Sequence, residues 1–214
     1  MNDIAIYGAG GFGREIACLI HAINQEKNHW NLVGYFDDGL EAGSKNRYGK
    51  ILGNFETLNK WDKPLSVVLA LGKTKPLRFI AEKINNPLIS FPNLFAPDLK
   101  WLDFDSVSIG QGNIVTFGCR INCEVKIGDF NIINGNVGIG HDVQIGSYNV
   151  MNPCVRISGE TIIGDSNFFG VCSVVLQQKK IGNFVTVSAN SVITRNTLDG
   201  CCYLGNPAKK IELL

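Results

Sequence analysis

The chain of 214 residues has no long hydrophobic run, few histidines and no excess of charge of one sign. No segment approaches the about 18 consecutive apolar residues of a membrane span, so we expect no membrane partner. The 20 Lys and Arg residues nearly balance the 19 Asp and Glu residues, and no basic stretch is interleaved with aromatic residues. We therefore expect no nucleic-acid partner, because such partners require a concentrated basic surface.

The seven cysteines also lack the paired spacing of zinc fingers, and their number is odd. We interpret them as reduced thiols. The first residues enter an apolar strand pattern directly, without the charged, apolar and cleavage regions of a signal peptide. Both features predict a cytoplasmic protein.

The most regular feature of the second half is an apolar residue at every sixth position. Ile-Gly dipeptides recur within it at intervals of eighteen residues, beginning at Ile109. A period of six that closes after three steps predicts a triangular coil whose short parallel strands stack at ~4.8 Å. We predict a hexapeptide-repeat parallel β-helix of about five coils. Its predicted inward residues are Ile109, Val115, Ile121, Ile127, Ile133, Ile139, Ile145, Met151, Ile157, Ile163, Phe169, Val175, Ile181, Val187 and Ile193.

Residues 1–90 lack this period and predict an α/β domain with a Rossmann-like βαβ plan. Strands are predicted at 3–7, 32–36 and 66–71, with a glycine turn and a helix after the first and the third. We predict a nucleotide-sugar-binding domain at 1–90, a proline-punctuated connector at 91–97 and the β-helix domain at 98–214.

The glycine motif Gly8-x-Gly10-x-x-Gly13 separates the first predicted strand from the first helix. Backbone N–H groups and the helix N-terminus can meet a diphosphate there. Asp37 ends the second strand, where a ribose-binding acid is expected. About 90 residues supply few strands for a complete dinucleotide site, so we favour a nucleotide diphosphate carrying a sugar. The alternative is a tight turn needed only for packing the helix on the sheet.

His141 is the single histidine of the repeat. Equivalent positions hold mostly polar or small residues, which predicts a corner or outward position. Gly159, eighteen residues later, is expected directly above it with a bare backbone N–H. A histidine base beside an N–H donor suits acyl transfer from a thioester. Asp142 can orient the imidazole only if the corner bends there.

These features resemble those of bacterial acyltransferases that combine an N-terminal nucleotide-binding domain with a left-handed hexapeptide β-helix. The resemblance covers nearly the whole chain. The family includes N-acetyltransferases of nucleotide-linked 4-amino-dideoxy sugars, as in bacillosamine and perosamine synthesis, and sialic acid O-acetyltransferases. The resemblance rests on residues 7–15, the pair Asp37-Asp38, the period of six, residues 140–142 and residues 205–209.

The resemblance implies an acetyl-CoA-dependent N-acetyltransferase for surface glycans such as lipopolysaccharide. It implies no metal, and a homotrimer with three sites between neighbouring β-helices. It makes His141 the general base, Asp142 its acidic neighbour and Gly159 the N–H donor to the thioester carbonyl. Acetyl-CoA is expected along Gly159, Val171 and Ala189. The nucleotide-linked amino sugar is expected at Gly10, Gly11, Phe12, Asp37, Asp38, Gly72, Lys73 and, near the sugar, Asn134.

Two residues depart from the family pattern. Val150 stands where bacillosamine-type members carry a second histidine, and Lys73 stands where asparagine is frequent. The nucleotide and the sugar therefore stay open. Two alternatives are O-acetylation of sialic acid or another sugar hydroxyl, and a non-catalytic trimeric scaffold that binds nucleotide-sugars. A zinc β-helix of the carbonic anhydrase kind is not expected, because it needs three imidazoles on the metal and the repeat holds one.

Overall fold

The computed structural model describes residues 1–212, which begin with an α/β domain. Six strands form one sheet in the order β3-β4-β2-β1-β5-β6, parallel except where β3 meets β4. The elements are β1 (Asn2–Tyr7), α1 (Gly11–Glu26), β2 (Trp30–Phe36), β3 (Lys45–Asn46), β4 (Gly49–Gly53), α2 (Phe55–Asn59), β5 (Leu65–Leu69), α3 (Thr74–Lys83) and β6 (Ile89–Ser90).

The apolar patterns of the sequence explain how this sheet is covered. The central strands β1 and β5 are buried along most of their length, as expected for parallel strands covered on both faces. Helix α1 turns Ile16, Leu19 and Ile20 into the core. Strand β2 lies on one side of β1 and β5 on the other, so the winding direction reverses between β1 and β5. In open parallel sheets, this reversal point opens a crevice at the carboxyl ends of the strands.

From Leu94 onward the chain winds into a three-sided coil of short parallel strands. The first face contains Leu94–Phe95, Ile114–Val115, Ile132–Ile133, Val150–Met151, Phe168–Phe169, Thr186–Val187 and Cys202–Gly205, with Ala208–Ile211 antiparallel at its end. The second face contains Lys100–Trp101, Arg120–Ile121, Gly138–Ile139, Arg156–Ile157, Val174–Val175 and Val192–Ile193. The third face contains Ser108–Ile109, Lys126–Ile127, Gln144–Ile145, Ile162–Ile163 and Lys180–Ile181.

The predicted inward residues fill the interior of this coil. From Val115 to Ile193 all of them are buried, and only Ile109 at the open end is half-buried. The strand Leu94–Phe95 pairs with Ile114–Val115 and thus starts the stack inside the predicted connector. A short 3-10 helix, Phe104–Ser106, interrupts the first turn.

A ladder of buried asparagines supports one edge of the coil. The side-chain oxygen of Asn113 accepts from the backbone N–H of Asn131 at 2.9 Å, and Asn131 in turn accepts from Asn149 at 3.0 Å. Asn167 continues the series and accepts from the N–H of Val185 at 2.7 Å. Buried amides are tolerated where such partners exist. The asparagines recur every eighteen residues in the sequence, so the ladder could be predicted from that interval but not from the apolar period of six.

The α/β domain packs on the outward side of the first face. Ile114, Ile132 and Val150 belong to the same apolar cluster as the core of the α/β sheet. The guanidinium of Arg78 on α3 lies 5.4 Å from the ring centroid of Tyr148 on the coil. Such a cation–π contact contributes about 0.5–1 kcal/mol at an exposed site. The two parts therefore share one core, which fixes the crevice of the α/β sheet against the coil.

Candidate active site

The coil has three corners, each defined by the residue two positions after an inward residue. The pocket corner follows the first face and contains Phe117, Gly135, Pro153, Val171 and Ala189. The histidine corner follows the second face and contains Cys123, His141, Gly159 and Gln177. The capped corner follows the third face and contains Gln111, Asp129, Ser147, Asp165 and Asn183.

Side chains close the capped corner and leave the other two open. On the capped corner, Asp165 accepts from the backbone N–H of Ser147 at 2.8 Å, and the same pattern repeats along the stack. Within the part of the chain that the structure describes, the N–H groups of Gly159, Val171 and Ala189 have no acceptor. Val171 and Ala189 are exposed, so the pocket corner presents these donors to a ligand, whereas Gly159 is buried against the ring of His141.

The imidazole of His141 lies outside the coil and is held by its neighbour. Nδ1 of His141 is 2.7 Å from Oδ2 of Asp142, and both side chains are about half-exposed, at 53% and 56%. Asp142 adopts a φ of 57°, in the left-handed region, which bends the corner and returns the carboxylate to the ring. The corner therefore bends as the sequence analysis required for Asp142 to orient the imidazole. With Nδ1–H donating to Asp142, Nε2 is the free acceptor.

Gly159 lies against this ring, as the interval of eighteen predicts. A β-carbon on Gly159 would lie 2.6 Å from Nε2 of His141, so only glycine leaves room for the imidazole. Gly140 is constrained differently, because its β-carbon would lie 2.6 Å from the backbone nitrogen of Gly159. A base nitrogen and a free N–H donor therefore lie side by side on the histidine corner.

The four glycines of the first loop divide into two pairs. A β-carbon on Gly13 would lie 1.9 Å from the carbonyl oxygen of Gly8, and Gly8 itself has a φ of +102° and faces Ala70. These two are required by packing. Gly10 and Gly11 have nothing within 4 Å of such a carbon and are exposed. Packing alone therefore explains only half of the motif.

Helix α1 begins at this loop with an open N-terminus. Its cap residue Gly10 makes no side-chain capping bond, and the first turn holds no acidic residue. The first N–H groups of a helix lack intrahelical partners and carry a partial positive charge, which favours an anion. Helix α3 repeats the arrangement: its cap Lys73 makes no side-chain capping bond, and Gly72 before it is exposed. Because β1 pairs with β5, both open helix ends lie at one edge of the sheet.

The two aspartates at the end of β2 are bonded to the protein itself. Asp37 accepts from the N–H of Ala9 at 2.8 Å and from that of Gly39 at 2.9 Å. Asp38 accepts from the hydroxyl of Tyr7 at 2.5 Å. Burial, followed by this hydrogen bond, raises the pKa of Tyr7 well above its usual range. Sequence reasoning placed both acids near the glycine loop but did not find Tyr7, whose role depends on a contact across the sheet.

A cleft of about 680 Å³ lies between the α/β domain and the pocket corner. It brings together three predicted residues, Phe12, Gly72 and Asn134. Sequence reasoning missed the other lining residues. They are Glu15, Cys18, Leu19, Thr116, Phe117, Gly135, Asn136, Asn152 and Pro153.

The same chain does not bring His141 into this cleft. His141 and Gly159 lie on the histidine corner, one full face away from the pocket corner that forms the cleft wall. Val171 and Ala189 continue the pocket corner beyond the cleft, so they do not share a corner with Gly159. Val150 lies on the first face, 1% exposed, where packing against the α/β domain explains its apolar side chain.

Among residues 1–212, no group of three or more His, Cys, Asp and Glu side chains could hold a metal ion. No helix in this range combines the length and the apolar character needed to cross a membrane. All seven cysteines are unpaired in the structure.

The N-terminal part of the chain matches a protein-family model at residues 3–84, described as the PglD N-terminal domain. No curated protein sequence matches the chain.

Solved structures match along nearly the whole length. The acetyltransferase domain of PglB from Neisseria gonorrhoeae FA1090 is 28% identical, with a TM-score of 0.88 over 99% of this chain and 100% of that one. The same domain in complex with acetyl coenzyme A is 29% identical, with a TM-score of 0.87 and the same coverage. PerB from Caulobacter crescentus, in complex with CoA and GDP-perosamine, has a TM-score of 0.87 at 23% identity, over 99% and 98% of the two chains. At that identity the likeness concerns the fold alone.

These matches confirm the resemblance predicted from the sequence. The architecture, an α/β domain followed by a stack of parallel strands, is that of the matched PglB acetyltransferase domain, and the predicted enzyme class, an acyltransferase, is the class of that domain.

Proposed function

We propose that the protein is an acetyl-CoA-dependent N-acetyltransferase that acetylates the amino group of a nucleotide-linked 4-amino-dideoxy sugar. The observation that carries the proposal is the position of the Gly159 backbone N–H, a donor for an oxyanion, beside His141, an oriented base. The same coil forms one wall of the cleft against the α/β domain. The acetyltransferase domain that is 29% identical was solved with acetyl coenzyme A, which supports the same acetyl donor here. The product would enter bacterial surface glycan synthesis, such as that of lipopolysaccharide, from the cytoplasm.

The α/β domain would hold the nucleotide-sugar in a Rossmann-like manner. The diphosphate would lie on the free N–H groups of Gly10, Gly11 and Phe12, where the positive end of α1 favours negative charge. Gly72 and Lys73 would face it from the second open helix end, and Lys73 would add a full positive charge. Asp37 and Asp38 would fix the loop through their bonds to Ala9 and Tyr7. Their remaining lone pairs would be available to ligand hydroxyls.

The histidine corner would supply the chemistry. As the sugar amine attacks the thioester carbonyl, Nε2 of His141 would take a proton from the amine and then return it to the departing thiolate sulfur. Asp142 would keep Nδ1 protonated and stabilise the imidazolium that forms. The N–H of Gly159 would donate to the carbonyl oxygen while it carries negative charge. The transfer would be direct, with no acyl-enzyme step.

The cleft and the base would meet across a subunit boundary. In one chain, Asn134 lines the cleft on the pocket corner, whereas His141 lies on the histidine corner. A homotrimer that sets the pocket corner of one left-handed coil against the histidine corner of the next would complete three equivalent sites. Acetyl-CoA would then run between the two corners, past the free N–H groups of Gly159 on one side and of Val171 and Ala189 on the other.

The test is release of free thiol from acetyl-CoA with a panel of nucleotide-linked 4-amino sugars, alongside sialic acid and free amino sugars. Turnover with a nucleotide-linked amine is the expected result. Turnover only with a hydroxyl acceptor would assign O-acetylation instead, and tight binding without turnover would assign a scaffold. His141→Ala is expected to lower turnover by about 10²–10⁴-fold with the assembly intact. Unchanged turnover in this variant would contradict the assignment of the base.

A further inference from the structure

The outward side of the second face changes character halfway along the coil. Lys100 and Arg120 are register partners, and Arg120 is followed by Gly138 and Arg156 in the next coils. All three cationic residues are exposed. Beyond them, the same positions are apolar: Val174 and Val192, both half-buried.

The cationic half forms a cleft of about 490 Å³ that contains Lys100, Arg120, Gly138 and Arg156. Gly138 leaves a hollow over which Arg156 folds, since a β-carbon at residue 138 would lie 3.2 Å from Cδ of Arg156. Arg156 donates to the carbonyl oxygens of Asn136 and Val155.

Carboxylates are scarce on this cleft. None of its three cations forms a salt bridge within the described range. Asp98 is the single acidic residue lining the cleft as described, and it already accepts from the N–H of Gly118 at 2.9 Å.

The orientation of this face follows from the trimer of the proposed function, on which this inference rests. The second face joins the pocket corner to the histidine corner. Three triangular prisms can touch pocket corner to histidine corner around a threefold axis only with the face between those corners turned inward. An outward second face would set the corners of neighbouring copies apart. Lys100, Arg120 and Arg156 of each copy, which we call the cationic ladder, therefore face the axis. Val174 and Val192 supply an apolar half of the same face that can pack against the equivalent residues of the other copies.

We propose that Lys100, Arg120 and Arg156 of three copies form a site for one small inorganic oxyanion, such as phosphate, on the threefold axis. Assembly brings nine positive charges toward one line, and their mutual repulsion grows as water leaves the interface. A multivalent anion neutralises this charge and accepts several charge-assisted hydrogen bonds, which guanidinium groups donate in bidentate geometry. The anion thereby favours the assembly that the transfer reaction needs.

Carboxylates of the neighbouring copy are the competing source of negative charge. Glu124 and Glu160 are exposed on the histidine corner and would lie at the boundary between copies. Glu160 already accepts from the side chain of Gln178 at 3.1 Å. If these carboxylates neutralised the ladder, no anion would be bound.

The test is equilibrium dialysis of the full chain with radiolabelled inorganic phosphate at constant ionic strength in chloride, with the assembly state measured by sedimentation. One phosphate per three chains is the expected result. Arg120→Gln should weaken binding by roughly 10–100-fold, because the ligand loses a charged donor from each copy. Lys126→Gln is the matched control: Lys126 occupies the outward position of the third face and is also exposed, so this variant should leave binding unchanged.

Three results would overturn the axial site: no phosphate bound by trimers, one phosphate per chain, or equal binding by Arg120→Gln. Displacement by a nucleoside diphosphate at equal concentration would also do so, because it would mark the phosphate as a substrate group in the cleft of the α/β domain. The proposed function has its own readout. Trimers that release thiol from acetyl-CoA but bind no phosphate would overturn the axial site alone, whereas monomers without turnover would overturn both.

Discussion

The ring of His141 lies across the α-carbon of Gly159, one coil further along, so a β-carbon at residue 159 would lie 2.6 Å from Nε2. This contact joins the two groups that acyl transfer requires, a base and an N–H donor, through the repeat of the coil itself. It also gives Gly159 a reason to be glycine that does not depend on a bound ligand. Substitutions at residue 159 and at the neighbouring Gly140 test whether Gly159 is glycine because the His141 ring needs the space.

Gly159→Ala should displace the imidazole while leaving the coil folded. The added methyl group meets the end of a half-exposed side chain, which can rotate away. We expect thiol release from acetyl-CoA to fall roughly 10²-fold or more, since the base loses its position, and the melting temperature to change little.

Gly140→Ala is the matched comparison. Its methyl group would lie 2.6 Å from a backbone nitrogen, which cannot rotate away, so we expect a large loss of stability. Equal melting temperatures for the two variants, or full activity in Gly159→Ala, would contradict this reading of the corner.

Asp142→Asn should lower turnover without removing the base. The amide can still contact the ring, but it no longer stabilises a positive imidazolium or enforces a proton on Nδ1. We expect turnover to fall roughly 10–100-fold, less than for loss of the imidazole, with the KM of the nucleotide-sugar nearly unchanged. Steady-state kinetics at saturating acetyl-CoA measures both quantities. A change confined to KM would make Asp142 a substrate contact instead.

Gly13→Ala and Gly10→Ala should separate packing from ligand binding in the glycine loop. The methyl group at residue 13 would lie 1.9 Å from the Gly8 carbonyl oxygen, so we expect a loss of about 2–4 kcal/mol in the free energy of unfolding. The methyl group at residue 10 meets nothing within 4 Å, so the fold should tolerate it while the KM of the nucleotide-sugar rises. Urea unfolding and initial rates give the two readouts. An unchanged KM of the nucleotide-sugar in Gly10→Ala would mean that the loop serves only to pack the helix on the sheet.

Cys119 should make the protein less stable in alkali. Burial raises the pKa of this thiol to about 11, against about 8.5 for an exposed cysteine. The pKa of this thiol is higher in the folded state than in the unfolded state. The contribution of the neutral thiol to the free energy of unfolding is therefore complete below pH about 8.5 and is lost as the pH rises through about 11. The loss amounts to about 3 kcal/mol at most.

Urea unfolding at pH 7.5 and at higher pH, in the presence of reductant, measures this loss. Cys119→Ala should show a shallower decline than the unmodified chain, whereas Cys172→Ala, at an exposed position, should not. Identical slopes for the two variants would contradict a buried neutral thiol at residue 119.

The sequence predicted the coil well because its signal repeats. Each inward residue occupies an equivalent environment, so one period accounts for the interior from Val115 to Ile193. The same arithmetic predicted that Gly159 stacks on His141. The predicted line of acetyl-CoA contacts along Gly159, Val171 and Ala189 did not apply this arithmetic, since Val171 is twelve residues from Gly159 and so falls on a different corner.

Other parts of the site depend on contacts that no local pattern carries. The bonds from Asp37 to Ala9 and from Asp38 to Tyr7 cross between strands, and loop geometry decides them. The apolar side chain of Val150 follows from the docking of one domain on the other. The bend that brings Asp142 to His141 differs from these contacts, because a left-handed backbone recurs at every sixth residue from Glu124 to Asn190 and so belongs to the repeat itself.

The most direct test of the account is complementation between two inactive variants, His141→Ala and Gly11→Asp. The second variant places a negative charge where a diphosphate is expected, at a helix position that favours an acidic residue for folding. Thiol release from acetyl-CoA would be measured on mixed assemblies purified through two different tags. If the cleft of one copy uses His141 of the next, one of the three sites in every mixed trimer contains both intact parts, and activity returns. If cleft and base belong to the same chain, no mixed site is intact, and the mixture stays as inactive as its parents.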